Sequence, residues 1–94
     1  MPIDLTTPIV RTQDLMTAPA DRDMVILNLA KGNYVALDEI GRRIWELLSV
    51  PRYAADLCRQ LSAEFDATPE QIAADVLPFL NELQAENLVQ IVNG

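Results

Sequence analysis

The chain has 94 residues, half of them apolar, and carries 14 Asp and Glu against 7 Lys and Arg, for a formal net charge of −7. That length makes one domain with a thin stability margin. The acidic balance excludes the basic patch that a nucleic acid or an anionic membrane surface demands.

Histidine is absent and Cys58 is the single cysteine. The commonest general base is therefore missing, and no internal disulfide can form. No Cys-x-x-Cys, Gly-x-Gly-x-x-Gly or Walker-type loop occurs. We expect no cofactor, no metal site and no enzymatic activity. Cys58 falls inside an apolar helical stripe and reads as a small buried hydrophobe. The carboxylates are scattered over amphipathic helices and read as solvated surface. No apolar run approaches the roughly 18 residues of a membrane helix. The N-terminus, MPIDLTTPIV, has no basic or apolar signal region, so a cytoplasmic protein is expected.

In chain order, residues 1–13 hold two prolines and three threonines with little periodicity. They read as a flexible arm, with a short extended piece at 9–10, preceding a domain over 14–94. Residues 15–18 are a candidate first strand, closed by Pro19, which cannot donate to a ladder. Residues 20–23 form a polar turn. Residues 24–29 are the best strand of the chain, five of six apolar, and suit the centre of a small sheet. Lys31-Gly32-Asn33 is a turn signal, and residues 34–37 return as a third strand. The three strands make an antiparallel meander.

Asp38 is the expected N-cap of a first helix running to about residue 49. Its stripe is Ile40, Ile44, Leu47 and Leu48, with Trp45 flanking it under the sheet. Pro51 ends that segment. A second helix is predicted over 53–65, with Ala54, Leu57, Cys58, Leu61 and Phe65 on one face. Thr68-Pro69-Glu70-Gln71 combines an N-cap, a first-turn proline and a capping box. A third helix starts there and runs to about residue 86, with Pro78 inside it deleting one backbone bond and bending it. Residues 88–92 are a final strand or an extended tail.

The third helix has more apolar residues than one stripe needs. Ile72, Val76, Phe79 and Leu83 make one face, and Ala73, Leu77 and Leu80 a second beside it. Two readings stand: a wide core face, or an exposed groove floored by Leu77 and its neighbours. Strands followed by three helices also invite comparison with helix-turn-helix DNA readers. Charge opposes that reading, because the last basic residue is Arg59 and residues 60–94 carry six carboxylates. An interaction module remains. The open edge of the third strand can accept an extended peptide by main-chain hydrogen bonding, or it is an ordinary edge whose side chains only feed the core.

An apolar strand over 25–29 is followed by the turn and Tyr-x-x-Leu strand of 32–37. A helix with Ile44-Trp45-x-Leu47-Leu48 comes next. Farther on, an apolar helix ending at Phe65 and a polar turn precede Asp75-Val76-Leu77-x-Phe79-Leu80-x-x-Leu83. In order and spacing this resembles the PqqD-like family, also called RiPP recognition elements, over residues 15–92. The resemblance implies an α+β, winged-helix-like fold: a three-stranded antiparallel β-meander followed by three α-helices. It implies a non-catalytic peptide chaperone that binds the leader of a ribosomally made precursor. The leader would add beside the third strand, in the cleft against the third helix. The expected peptide-binding residues are Asn33, Tyr34, Val35, Ala36 and Leu37 on the strand, and Ala73, Leu77 and Leu80 on the helix. The implied partner is a modifying enzyme, either the leader peptidase and cyclase of lasso peptide maturation or the radical SAM enzyme of pyrroloquinoline quinone (PQQ) biosynthesis. The Gly-Asn-Tyr turn and Ile-Trp helix resemble the lasso-type and general branches of the family more than the quinone branch. Pro78 departs from the small residue expected there, which bears on the straightness of the groove wall. A winged-helix module of protein–protein regulation is the alternative outside such pathways.

Overall fold

A computed structural model describes residues 2–29 and 31–92. In chain order these form β1 (Pro8–Arg11), β2 (Met16–Ala20), β3 (Asp23–Asn28), β4 (Asn33–Leu37), α1 (Glu39–Leu47), β5 (Arg52–Tyr53), α2 (Ala54–Phe65), α3 (Pro69–Ala85) and β6 (Val89–Ile91). The meander expected from the sequence is the antiparallel sheet β2-β3-β4, with β3 at its centre. Gly32 takes φ +70° in its second turn, a region that costs glycine little. Pro19 does not end β2, which continues to Ala20. It is tolerated because β2 is an edge strand.

Residues 2–13 are not an arm outside the domain. β1 is the central strand of a second antiparallel sheet, ordered β5-β1-β6, and Ile9 on it is fully buried. Tyr53, the N-cap of α2, makes no side-chain cap bond. The N-terminal segment replaces it, as the Thr7 and Leu5 carbonyls accept from the Ala54 and Ala55 amides at 3.1 and 3.0 Å. These amides would otherwise be unpaired at a helix start. Asn81 on α3 clamps the Ile3 peptide unit, accepting from its N–H at 2.8 Å and donating to its carbonyl at 3.3 Å. A four-residue strand opened by proline has almost no period-2 signal, and its partners lie far away in sequence. The domain that the sequence placed over 14–94 therefore takes in the N-terminal segment, while residues 93 and 94 lie outside the described residues.

α1 and α3 begin where their capping residues say. Asp38 accepts from the Gly41 amide at 2.8 Å. Thr68 and Gln71 exchange the two bonds of a capping box, at 3.1 and 3.2 Å. Ile44, Trp45, Leu47 and Leu48 of the α1 region are buried together with Ala54, Leu57, Cys58 and Leu61 of α2 and Ile72, Val76, Leu80 and Leu83 of α3. The Arg11 guanidinium lies 5.7 Å from the Trp45 ring centroid, within reach of a cation–π contact. Ile40 does not share the core stripe of α1 and is 37% exposed; Gly41 is the buried residue of that turn. α3 continues unbroken through Pro78. Among the described residues no helix is long and apolar enough to cross a membrane.

Candidate functional site: a cleft along the open edge of β4

β4 pairs with β3 and with no other strand among the described residues, so its second edge is open. Its side chains alternate as a half-buried strand requires. Val35 and Leu37 turn to the core, while Ala36 and the 66%-exposed Tyr34 turn outward. Alongside this edge run two pockets. One, of about 400 Å³, is lined by Ala36, Leu37, Asp38, Ile40, Gly41, Ile44, Asp75, Val76 and Phe79. The other, of about 370 Å³, is lined by Asn33, Tyr34, Val35, Phe79, Glu82, Leu83, Ala85 and Glu86. Phe79 belongs to both, so they are two halves of one cleft with β4 as one wall and α3 as the other. The start of β4 faces the end of α3, and the end of β4 faces its middle. The two walls therefore run in opposite senses.

Three features hold these walls at their separation. Gly41 lets α1 approach closely: a Cβ there would meet Leu37 Cβ, Asp38 Oδ1 and Phe79 Cζ, each at 3.3 Å. Asn28, the one buried polar side chain among the described residues, accepts from the Lys31 amide at 3.3 Å and donates to the Glu86 carbonyl at 3.2 Å. It thus ties the β3–β4 turn to the end of α3. Lys31 adds a bond from Nζ to the Ala85 carbonyl at 3.4 Å and a 3.3 Å approach to Glu86 Oε2. That approach is an ion pair without hydrogen-bond geometry, since Glu86 Oε2 has no hydrogen-bond partner.

Of the strand residues named from the sequence, Asn33, Tyr34, Val35, Ala36 and Leu37 all line this cleft. The helix residues named with them do not. Leu80 is fully buried in the core. Ala73 and Leu77 are half-buried and absent from both linings. On the helical wheel they share the side of Asn81, which holds the Ile3 peptide unit, so they face away from β4. Phe79, assigned to the core from the sequence, is the side chain that α3 presents to the cleft. Phe79 and Leu80 have therefore traded places between the two stripes, while Ile72, Val76 and Leu83 stay in the core as expected. The core stripe is Ile72, Val76, Leu80 and Leu83, and Phe79 sits at its β4-facing margin among Asp75, Glu82 and Glu86. An aromatic ring spaced between carboxylates along one margin of a helix was the available signal.

The cleft holds no nucleophile–base pair. Cys58 lies in the core, and burial pushes its thiol pKa up, which lowers its thiolate fraction. An open edge, apolar pockets and a helical wall can bind an extended chain.

The family model described as "Coenzyme PQQ synthesis protein D (PqqD)" matches residues 23–89. The chain belongs to the PqqD family. The matched span of this PqqD-family chain contains β3, β4 and all three helices, hence both walls of the cleft. It is 36% identical over 70 residues to the PqqA binding protein of Xanthomonas oryzae pv. oryzae (strain PXO99A), covering 74% of this chain and 75% of that protein. It is 34% identical, over the same shares, to the PqqA binding protein of Xanthomonas euvesicatoria pv. vesicatoria (strain 85-10). Its fold is similar to that of TbiB1 in complex with the TbiA(beta) leader peptide, with a TM-score of 0.76 and 26% identity over 90% of this chain and 99% of the other. The PqqD truncation of Methylobacterium extorquens PqqCD, a stand-alone RiPP recognition element, shares the fold with a TM-score of 0.77 at 19% identity, over 94% of each chain.

Proposed function

We propose that this PqqD-family chain is a non-catalytic peptide chaperone. It binds the leader segment of a ribosomally made precursor by strand addition to β4, in the cleft against α3, and presents the rest of the precursor to a modifying enzyme. The observation that carries the reading is the unpaired edge of β4 beside a two-part apolar cleft. Backbone groups on that edge supply affinity, and the pockets supply specificity for alternate side chains of the added strand. Lasso peptide maturation, with a leader peptidase and cyclase as partners, is the favoured pathway. That preference rests on the Gly-Asn-Tyr turn and Ile-Trp helix; the nearly full-length likeness to TbiB1, whose structure holds a leader peptide, supports leader binding itself. The second reading, a PQQ-type precursor and its radical SAM enzyme, is favoured by the higher identity to PqqA binding proteins.

The deciding experiment titrates the purified protein with two synthetic peptides, a lasso-type leader and a PqqA-type precursor, and follows amide exchange. The expected outcome is saturable binding of one of them with new protection at residues 33–37. Tight binding without protection there sinks strand addition at β4, and binding of neither sinks both pathway assignments.

A further inference from the structure

The walls of the cleft are unequal in charge. Asp38, Asp75, Glu82 and Glu86 line it, and no Lys or Arg does. Lys31 stands at one end, already paired with Glu86. Among the described residues no Lys or Arg lies within ion-pair distance of Asp75 or Glu82. The other carboxylates near arginines, Glu46, Glu64 and Asp56, are engaged in such pairs. Asp38 is engaged as the N-cap of α1, accepting from the Gly41 amide, so the rest of the cleft's uncompensated negative charge lies on α3, on both sides of Phe79.

The spacing of these groups matches a strand. Asp75 and Phe79 are four residues apart on α3, about 6 Å along the axis. Alternate residues of an added strand are about 6.6–6.8 Å apart. A strand residue seated against Phe79 thus has its neighbour two positions away beside Asp75. Its neighbour on the other side falls between Glu82, about 4.5 Å beyond Phe79, and Glu86, about 10.5 Å beyond. Glu86 is taken by Lys31, which leaves Glu82 to be met.

We infer that the strand this cleft accepts is cationic, with an apolar residue against Phe79 and a lysine or arginine two positions to either side, paired with Asp75 and Glu82. The inference rests on the peptide-binding reading above and names the chemical class of peptide. The pockets and the open edge do the holding, and the carboxylates select the charge. A second copy of this chain is a poor occupant, because it carries the same net charge of −7 and few basic side chains to offer.

The test is a display selection of random twelve-residue peptides against three proteins: the wild type, D75N/E82Q, and a control, D21N/E70Q, that loses the same net charge outside the cleft. Wild type and control are expected to enrich peptides with basic residues at alternate positions flanking an apolar one. D75N/E82Q should lose that enrichment. A wild-type-selected peptide that protects the amides of 33–37 should bind D75N/E82Q about three- to tenfold more weakly at low salt. The difference should vanish at 1 M salt, where the screening length is about 3 Å. Two results overturn the inference while leaving leader binding standing: selected peptides that protect 33–37 but show no charge pattern, or equal weakening in the control, which would reduce the effect to global charge. If no selected peptide protects 33–37, the underlying reading fails with it.

Discussion

Phe79 is where the two faces of α3 meet, half-buried against the core and shared by both halves of the cleft. Its neighbour Leu80 is fully buried. The two residues should therefore respond oppositely to truncation. Leu80→Ala removes core packing at a cost of about 2–5 kcal/mol, which in a domain this small lowers the melting temperature by at least about 10 °C. Phe79→Ala is expected to leave a folded protein with a smaller thermal loss but to abolish most leader binding. Thermal melts and binding isotherms on both variants decide it, and an unfolded Phe79→Ala beside an intact Leu80→Ala would reverse the assignment. Gly41 offers a subtler probe. Gly41→Ala gains about 1 kcal/mol of helix propensity while its new methyl crowds Phe79 Cζ at 3.3 Å. The expected result is a lower melting temperature together with weakened binding, because the ring can turn into the cleft but Leu37 Cβ and the capping Asp38 Oδ1, also at 3.3 Å, cannot swing clear.

At the scale of elements, β4 matters as an edge and the helices as its supports. In an antiparallel pair, successive residues direct their N–H groups alternately toward the partner and away. Of Val35 and Ala36, one therefore donates to β3 and the other to the open edge. Proline at the outward position should weaken leader binding with little effect on circular dichroism, whereas proline at the inward position should damage the β3–β4 ladder itself. If neither substitution changes binding, the edge is not the binding element. The two helices beneath the sheet are joined by Arg43 of α1, whose Nε and Nη2 donate to Glu64 of α2 at 2.7 and 2.9 Å. The guanidinium holds the Glu64 carboxyl below its usual pKa, with Gln60 assisting. Because the folded-state value is lowered, this contribution is fully present above the unfolded pKa and is lost as pH falls through the folded-state pKa. Both side chains are partly exposed, so screening keeps the effect small. Glu64→Gln should melt about 2–4 °C below wild type at pH 7, and the two should converge as pH falls through the folded-state pKa of Glu64.

For the whole molecule, charge separates this fold from the DNA readers that its element order resembles. The chain after Arg59 has no basic residue, and α3, the element that would enter a major groove, carries Glu70, Asp75 and Glu82 and no cation. No specific duplex binding is expected below about 10 μM in a low-salt anisotropy titration. Salt-sensitive nanomolar binding would contradict a purely peptide-binding role. The N-terminal segment belongs to the same whole-molecule balance. By supplying acceptors to the start of α2 and burying Ile3 and Ile9, it does structural work that removal of residues 2–11 should expose as a large loss of melting temperature.

What was legible in the sequence was local. The meander 16–37, the Asp38 cap at the start of α1 and the Thr68–Gln71 capping box at the start of α3 are each fixed by residues within a few positions of one another. The antiparallel meander also leaves its third strand at an edge. Three things were decided only by the tertiary structure. β1 is a strand because residues 52–53 and 89–91 come to meet it, and no window of sequence contains that pairing. Ile40 lines the cleft because Gly41, a residue without a side chain, takes the close contact in its place. On α3, apolar residues occupy a wide arc, and periodicity gives their angular order without the zero of the angle. Docking against α2 and clamping of the N-terminal segment by Asn81 set that zero, turning Leu80 inward, Leu77 away and Phe79 toward β4.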